Sequence, residues 1–206
     1  MQMRTVLVVA LALLASTPAA AELALTPAQT EGPYYPTSRL KPAETDNDLT
    51  RVGSGAVAKG DVLDITGSVV DPSGRPIAGA RIEIWQTDHQ GIYLHPGDAN
   101  TARRDMAFQF YGETRSDAAG AFTFRTIVPA RYPGRARHIH AKVTPPEGTT
   151  LTTQFYFKDD ADLASDGLVR RLGSALADVT LSPMRTGATE PLEATVRVVV
   201  RRGRGG

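Results

Sequence analysis

Apolar and polar positions along the chain fall into short β-type runs punctuated by Gly, Pro and Asp. Val62-Leu63-Asp64-Ile65-Thr66-Gly67-Ser68-Val69-Val70 is rich in β-branched residues, and Asp71-Pro72-Ser73-Gly74 closes it as a turn. Residues 80–88 (ARIEIWQTD) predict a second strand. Asp117-Ala118-Ala119-Gly120 reads as another turn and leads into Ala121-Phe122-Thr123-Phe124-Arg125. Residues 138–143, 151–157 and 194–200 are further strand candidates. Only residues 161–173 suggest a helix, and Gly167 weakens it. Many short strands with at most one or two short helices predict an all-β fold, a β-sandwich of immunoglobulin or transthyretin type.

The segments outside these runs have their own character. Residues 1–21 have the form of a signal peptide: Arg4 supplies the positive start, residues 6–15 are apolar, and Ala19-Ala20-Ala21 fits a cleavage site. The apolar run is too short for a membrane span. The expectation is export to the periplasm or the exterior, with no membrane association after cleavage. Residues 22–60 are rich in Pro, Thr, Asp and Gly and show no period. They predict an extended N-terminal arm and loop, packed on the core or on a partner subunit, so a homo-oligomer could form through the arm. Residues 61–201 then hold the sandwich, and residues 202–206 form a basic tail.

Composition narrows the chemistry. The chain has 206 residues, a formal net charge of +1 and no cysteine. Disulfides, thiolate zinc sites, iron–sulfur clusters and cysteine nucleophiles are excluded, and nothing suggests a nucleic-acid partner.

His138-Ile139-His140 is the first candidate for chemistry. On a strand, positions i and i+2 share a face, so two imidazoles can meet one metal ion while Ile139 packs the other way. Immediately upstream, Pro129-Ala130-Arg131-Tyr132-Pro133-Gly134-Arg135 cannot be regular strand and can turn Tyr132 back toward the histidines. Tyr93 lies just past the Trp85 strand. Each tyrosine is also readable as a core or rim residue. If both ligate, charge selects the ion. A phenol ionises near pH ~10 unless a strong cation depresses its pKa. Phenolate is a hard donor that suits Fe(III). A zinc or copper site using the histidines alone is an alternative.

With these residues in place, the sequence resembles the intradiol ring-cleavage dioxygenases, in particular their secreted branch. The similarity covers most of residues 26–170. It rests on Thr26-Pro27-Ala28-Gln29-Thr30-Glu31-Gly32-Pro33-Tyr34-Tyr35, on Ile82-Glu83-Ile84-Trp85-Gln86-Thr87-Asp88 with Gly91-Ile92-Tyr93, on Gly134-Arg135-Ala136-Arg137-His138-Ile139-His140, and on Leu151-Thr152-Thr153-Gln154-Phe155-Tyr156-Phe157. The resemblance implies Fe(3+) held by Tyr93, Tyr132, His138 and His140, with Arg135, Tyr132 and Gln154 in catalytic roles. It implies a small catechol-type substrate and O2, ring cleavage between the two hydroxylated carbons, and a cis,cis-muconate-type diacid. Tyr132 would leave the iron when catechol binds and accept one of its protons, while Arg135 would stabilise negative charge on the ring. Should Tyr132 not ligate, Tyr111 and Tyr156 are the next phenols. Arg131 and Arg137 could meet a substrate carboxylate. The six-residue step from Tyr132 to His138 is shorter than in the intracellular catechol and protocatechuate enzymes.

One competing reading remains. Residues 65–80 with Ser116-Asp117-Ala118-Ala119-Gly120 also resemble non-catalytic transthyretin-like or carboxypeptidase-regulatory β-sandwich modules. Such modules give no reason for the tyrosines and histidines.

Overall fold

The computed structural model describes residues 21–36 and 44–203. Apart from Ala21, the segment read as a signal peptide lies outside the described residues, as does the end of the basic tail. The strands are β1 (Val62–Val70), β2 (Arg81–Trp85), β3 (Tyr111–Arg115), β4 (Ala121–Ile127), β5 (His138–Thr144), β6 (Leu151–Phe157), β7 (Thr180–Leu181), β8 (Met184–Arg185) and β9 (Leu192–Val199). One short α-helix, α1 (Gly167–Leu172), runs into a 3-10 segment over Gly173–Val179.

The strands form two mixed sheets, ordered β4-β1-β9-β8 and β3-β2-β5-β6-β7. Strand alternation sends one face of each sheet into a shared core. From the first sheet come Leu63, Ile65, Val69, Phe122, Phe124 and Val198. Ile82, Ile84, Ile139, Ala141, Val143 and Phe155 answer from the second. The all-β sandwich read from the sequence is therefore the fold.

Turn chemistry follows the sequence closely. The Asp71 carboxylate accepts the Ser73 and Arg75 N–H groups, and that of Asp117 accepts those of Ala119 and Ala121. Three details differ from expectation. Strand β2 ends at Trp85, because the buried Asp88 carboxylate draws the N–H groups of Gln90 and Ile92 into a turn at 2.8 and 3.1 Å. The helix is shorter than residues 161–173, and Gly167 opens it behind Asp166, whose carboxylate caps the Leu168 and Val169 N–H groups. Strands β3, β7 and β8 were not anticipated: Gly112 and its charged neighbours obscure the period of β3, and β7 and β8 are two residues each.

The outer face of the second sheet is not open to water along its length. Residues 23–36 cross it and neighbouring strand ends. Backbone bonds run from Leu23 to Pro72, from Thr26 to Val199 and from Gln29 to Thr152.

Candidate metal centre

The site lies on that outer face, where register sets neighbours side by side. Trp85 pairs with His140, which pairs with Gln154, and His138 pairs with Tyr156. Because β5 alternates, His138 and His140 point outward together while Ile139 enters the core. Their ring centroids are 4.8 Å apart.

Two loops bring phenols to this pair. The first leaves β2 through the Asp88 turn. Gly91 there has φ +81°, and a Cβ on it would lie 2.3 Å from the Arg131 carbonyl oxygen. Tyr93 follows, buried, with its N–H on the Asp98 carboxylate at 2.8 Å. Its hydroxyl lies 3.5 Å from His138 Nε2. The second loop carries Tyr132. It is fastened to the first: the Asp88 carbonyl accepts the Ala130 N–H at 3.1 Å, and Thr87 Oγ1 donates to the Ala130 carbonyl at 2.7 Å. The Tyr132 ring stands 5.6 Å from His138 and 5.7 Å from Tyr93.

The histidines are held differently. His138 Nδ1 donates to the Ala136 carbonyl at 2.7 Å, which leaves the Nε2 lone pair facing the phenols. His140 Nδ1 is buried without a partner among the described residues. Its ring is stacked on Trp85, and Gly32 of the arm backs it so closely that a Cβ there would lie 3.2 Å from Cε1.

Burial governs the titration of all four groups. It pushes the Tyr93 phenol well above its ordinary pKa, with the neighbouring Tyr132 adding to the effect. It also raises Tyr132, against the opposing charge of Arg135. It lowers His138 to about 4, aided by Arg135, and lowers His140 well below its usual value, aided by His138 and Arg135. Both imidazoles are therefore neutral and able to ligate near pH ~7. The phenols keep their protons unless a strongly charged cation displaces them. Among the described residues no group of three or more His, Cys, Asp or Glu converges. A metal here would draw on the phenol oxygens, and two phenols with two neutral imidazoles fit a hard trivalent ion such as Fe(3+).

Arg135 sits beside this quartet. Its Nε donates to the buried Asp166 carboxylate at 2.8 Å, its Nη1 to the Tyr132 hydroxyl at 3.3 Å, and its Nη2 to Gln154 Oε1 at 2.7 Å. Asp166 is at once the helix cap and the counter-ion. Neither this partner nor the Tyr34 ring, 4.7 Å from Tyr93, was assigned a role from sequence. Asp166 could have been noticed as an acidic residue placed to cap a helix.

Other candidates lie elsewhere. Arg131 and Arg137 both pair with Asp160, on a cleft lined also by Gly60, Asp61 and His89. The Tyr111 hydroxyl lies 2.6 and 2.8 Å from the Glu83 and Glu113 carboxylates. Tyr156 is nearer: its ring centroid is 6.1 Å from that of His138, and its hydroxyl faces Arg135 at 3.4 Å.

Comparison with known proteins gives this arrangement its class. The Dioxygenase_C family model, described as Dioxygenase, matches residues 30–190. The protocatechuate 3,4-dioxygenase beta chain of Burkholderia cepacia is 34% identical over 170 residues, covering 77% of this chain and 70% of its own. Catechol 1,2-dioxygenase 1 of Acinetobacter lwoffii is 29% identical over 153 residues, covering 66% of this chain but 47% of its own. Among solved structures, the dioxygenase domain of a dioxygenase carbohydrate-binding protein fusion from Streptomyces sp. SirexAA-E matches with a TM-score of 0.67 and 31% identity. That match covers 87% of this chain and 100% of the other. The chain belongs to the intradiol ring-cleavage dioxygenase family. The non-catalytic module is thereby set aside.

Proposed function

We propose that this protein is an exported ferric intradiol dioxygenase that cleaves a catechol-type aromatic between its two hydroxylated carbons, giving a cis,cis-muconate-type diacid. The observation that carries the reading is the meeting of Tyr93, Tyr132, His138 and His140 on one buried face, with the Arg135 guanidinium bonded to Tyr132, the more exposed of the two phenols in that quartet. These four side chains would hold Fe(3+). When bound, the ion supplies Lewis acidity that orients both catechol oxygens and draws electron density from the ring.

The chain's own groups have distinct tasks in this reading. Neutral His138 and His140 offer lone pairs without competing for protons. Tyr93, enclosed on every side, is the permanent phenolate. Tyr132 lies on a loop and is the phenol that can yield its place and accept a catechol proton at its oxygen. Arg135, fixed by Asp166 and Gln154, presents positive charge where negative charge develops on the substrate. Export is supported by the pattern of residues 1–21.

The test is metal analysis of the purified protein, with its visible spectrum and oxygen uptake on catechol, protocatechuate and hydroxyquinol. The expected result is one iron per chain, a red phenolate band and a ring-opened diacid carrying both atoms of labelled O2. A colourless protein that takes up zinc but not iron, or a product opened outside the two hydroxylated carbons, would overturn the proposal.

A further inference from the structure

The arm residue Gln29 makes more directed contacts with the site's support than its place in an irregular segment suggests. Its Nε2 donates to Thr153 Oγ1 at 3.0 Å and to the Gln154 carbonyl at 2.9 Å, and its Oε1 accepts the Tyr156 hydroxyl at 2.9 Å. Next to it, the Thr30 carbonyl accepts Gln154 Nε2 at 2.8 Å. The arm therefore holds, from outside, the two side chains that meet Arg135 Nη2 from inside.

Proton direction explains why this matters. The Tyr156 hydroxyl has one proton and two acceptors within reach, Gln29 Oε1 at 2.9 Å and Gln154 Oε1 at 3.2 Å. While Gln29 takes that proton, Gln154 Oε1 remains free for Arg135 at 2.7 Å, and the Tyr156 oxygen turns a lone pair toward Arg135 at 3.4 Å. The bond to Thr30 fixes the Gln154 amide in the orientation that presents oxygen, not nitrogen, to the guanidinium. Without Gln29, the Tyr156 proton would turn to Gln154 Oε1, and that oxygen, which has two lone pairs, would be shared between two donors and hold Arg135 less tightly.

We propose that Gln29 is a positioning residue, acting through Tyr156 and Gln154 to hold Arg135 against the Tyr132 hydroxyl. The role of Arg135 in turnover rests on the dioxygenase reading, but its position can be measured without metal. The experiment follows exchange of the Arg135 Nη–H protons, which face Gln154 and Tyr156, by nitrogen-15 NMR in metal-free protein, with Arg135→Lys identifying the resonances. Gln29→Ala should lower their protection by about tenfold, the equivalent of one net hydrogen bond. Thr26→Val is the control, because it removes a different arm anchor, the bond from the Val199 N–H at 2.9 Å. It should leave Arg135 protection at the wild-type level. Adding Tyr156→Phe to Gln29→Ala removes the second donor to Gln154 Oε1, at the loss of the long 3.4 Å contact to Arg135, and should restore part of the protection. In the iron-loaded enzyme, Gln29→Ala should lower kcat while the phenolate band persists. Wild-type protection in Gln29→Ala, or an equal loss in Thr26→Val, would overturn the proposal. If wild-type protein takes up no iron yet Gln29→Ala still frees Arg135, the dioxygenase reading fails and the positioning role stands.

Discussion

The His140 imidazole lies flat against the Trp85 indole, with centroids 4.8 Å apart and planes 6° apart. Among the described residues, neither His140 Nδ1 nor Trp85 Nε1 has a hydrogen-bond partner. A ligating histidine is usually oriented by a bond from its other nitrogen. Here stacking on one side, and Gly32 behind, do that work. Trp85→Leu should therefore weaken iron binding by about 10–100-fold, the range for lost support of a ligand. The cavity should also lower stability by about 2–3 kcal/mol, somewhat under the loss for truncating a buried Trp to Ala. A chelator competition and a denaturant melt measure the two effects separately. Unchanged iron affinity would show that the stack does not orient the ligand.

The two phenols should separate in kinetics. Tyr93 is buried in the first loop, whereas Tyr132 lies half-buried on a loop and touches Arg135 at 3.3 Å. Tyr132→Phe should retain some iron, shift the visible band and bind catechol slowly under anaerobic stopped-flow conditions. Tyr93→Phe should lose most of the iron. Catechol binding by Tyr132→Phe at the wild-type rate, with an unchanged spectrum, would remove Tyr132 from the ligand set.

Gly91 couples the two tyrosine loops. Gly91→Ala adds a Cβ 2.3 Å from the Arg131 carbonyl oxygen, at a φ of +81° that disfavours alanine. Backbone cannot yield as a flexible side chain would. Stability should fall by about 1–3 kcal/mol from the strained backbone alone. The phenolate band should shift as Tyr132 is pushed away, a change that optical titration with iron would detect. A normal band at full iron occupancy would mean the loops move independently.

Asp166 links the site to acid stability. Burial raises its pKa, but bonds from Arg135, Ala136 and Leu168 outweigh burial and hold it below the usual carboxylate value. A depressed folded pKa contributes stability that is present above the unfolded value, near ~3.9, and lost as pH falls through the folded one. Asp166→Asn retains an oxygen to cap α1 but leaves Arg135 without its counter-ion. It should lower stability near pH ~7 by up to about 3 kcal/mol, as for a broken buried pair. The gap from wild type should narrow below pH ~4. Urea melts across that range test both points, and a gap that stays constant with pH would rule out the carboxylate as its source.

Strand β5 was legible because its alternation is simple: histidines out, isoleucine and valine in. The ligand candidates followed, since i and i+2 on a strand need no knowledge of the fold. Their support did not. Asp166 lies 31 residues from Arg135, and Gln29 lies 125 from Gln154, so only the assembled sandwich brings them together. Glu83 shows the limit of pattern reading from the other side. It points away from the core and would be expected in water, yet it is 1% exposed. Arg81 pairs with it at 3.1 Å, and Tyr35 and Tyr111 donate to it at 2.7 and 2.6 Å. An outward position on a strand says nothing of an arm that will later cover it.

The parallel pairing of β1 with β9 has a consequence for the order of assembly. Leu63 pairs with Leu192 and Val70 with Val199, so the strand that begins the sandwich waits for one near the end of the described residues. Pairings so distant in sequence are slow to form. Until residue 199 has emerged, β1 has only β4 beside it, and Thr26 of the arm lacks the Val199 groups it binds. A ribosome-tethered chain that stops before Leu192 should therefore be cut readily by protease, while one extended by a linker long enough to carry Val200 clear of the ribosome should resist.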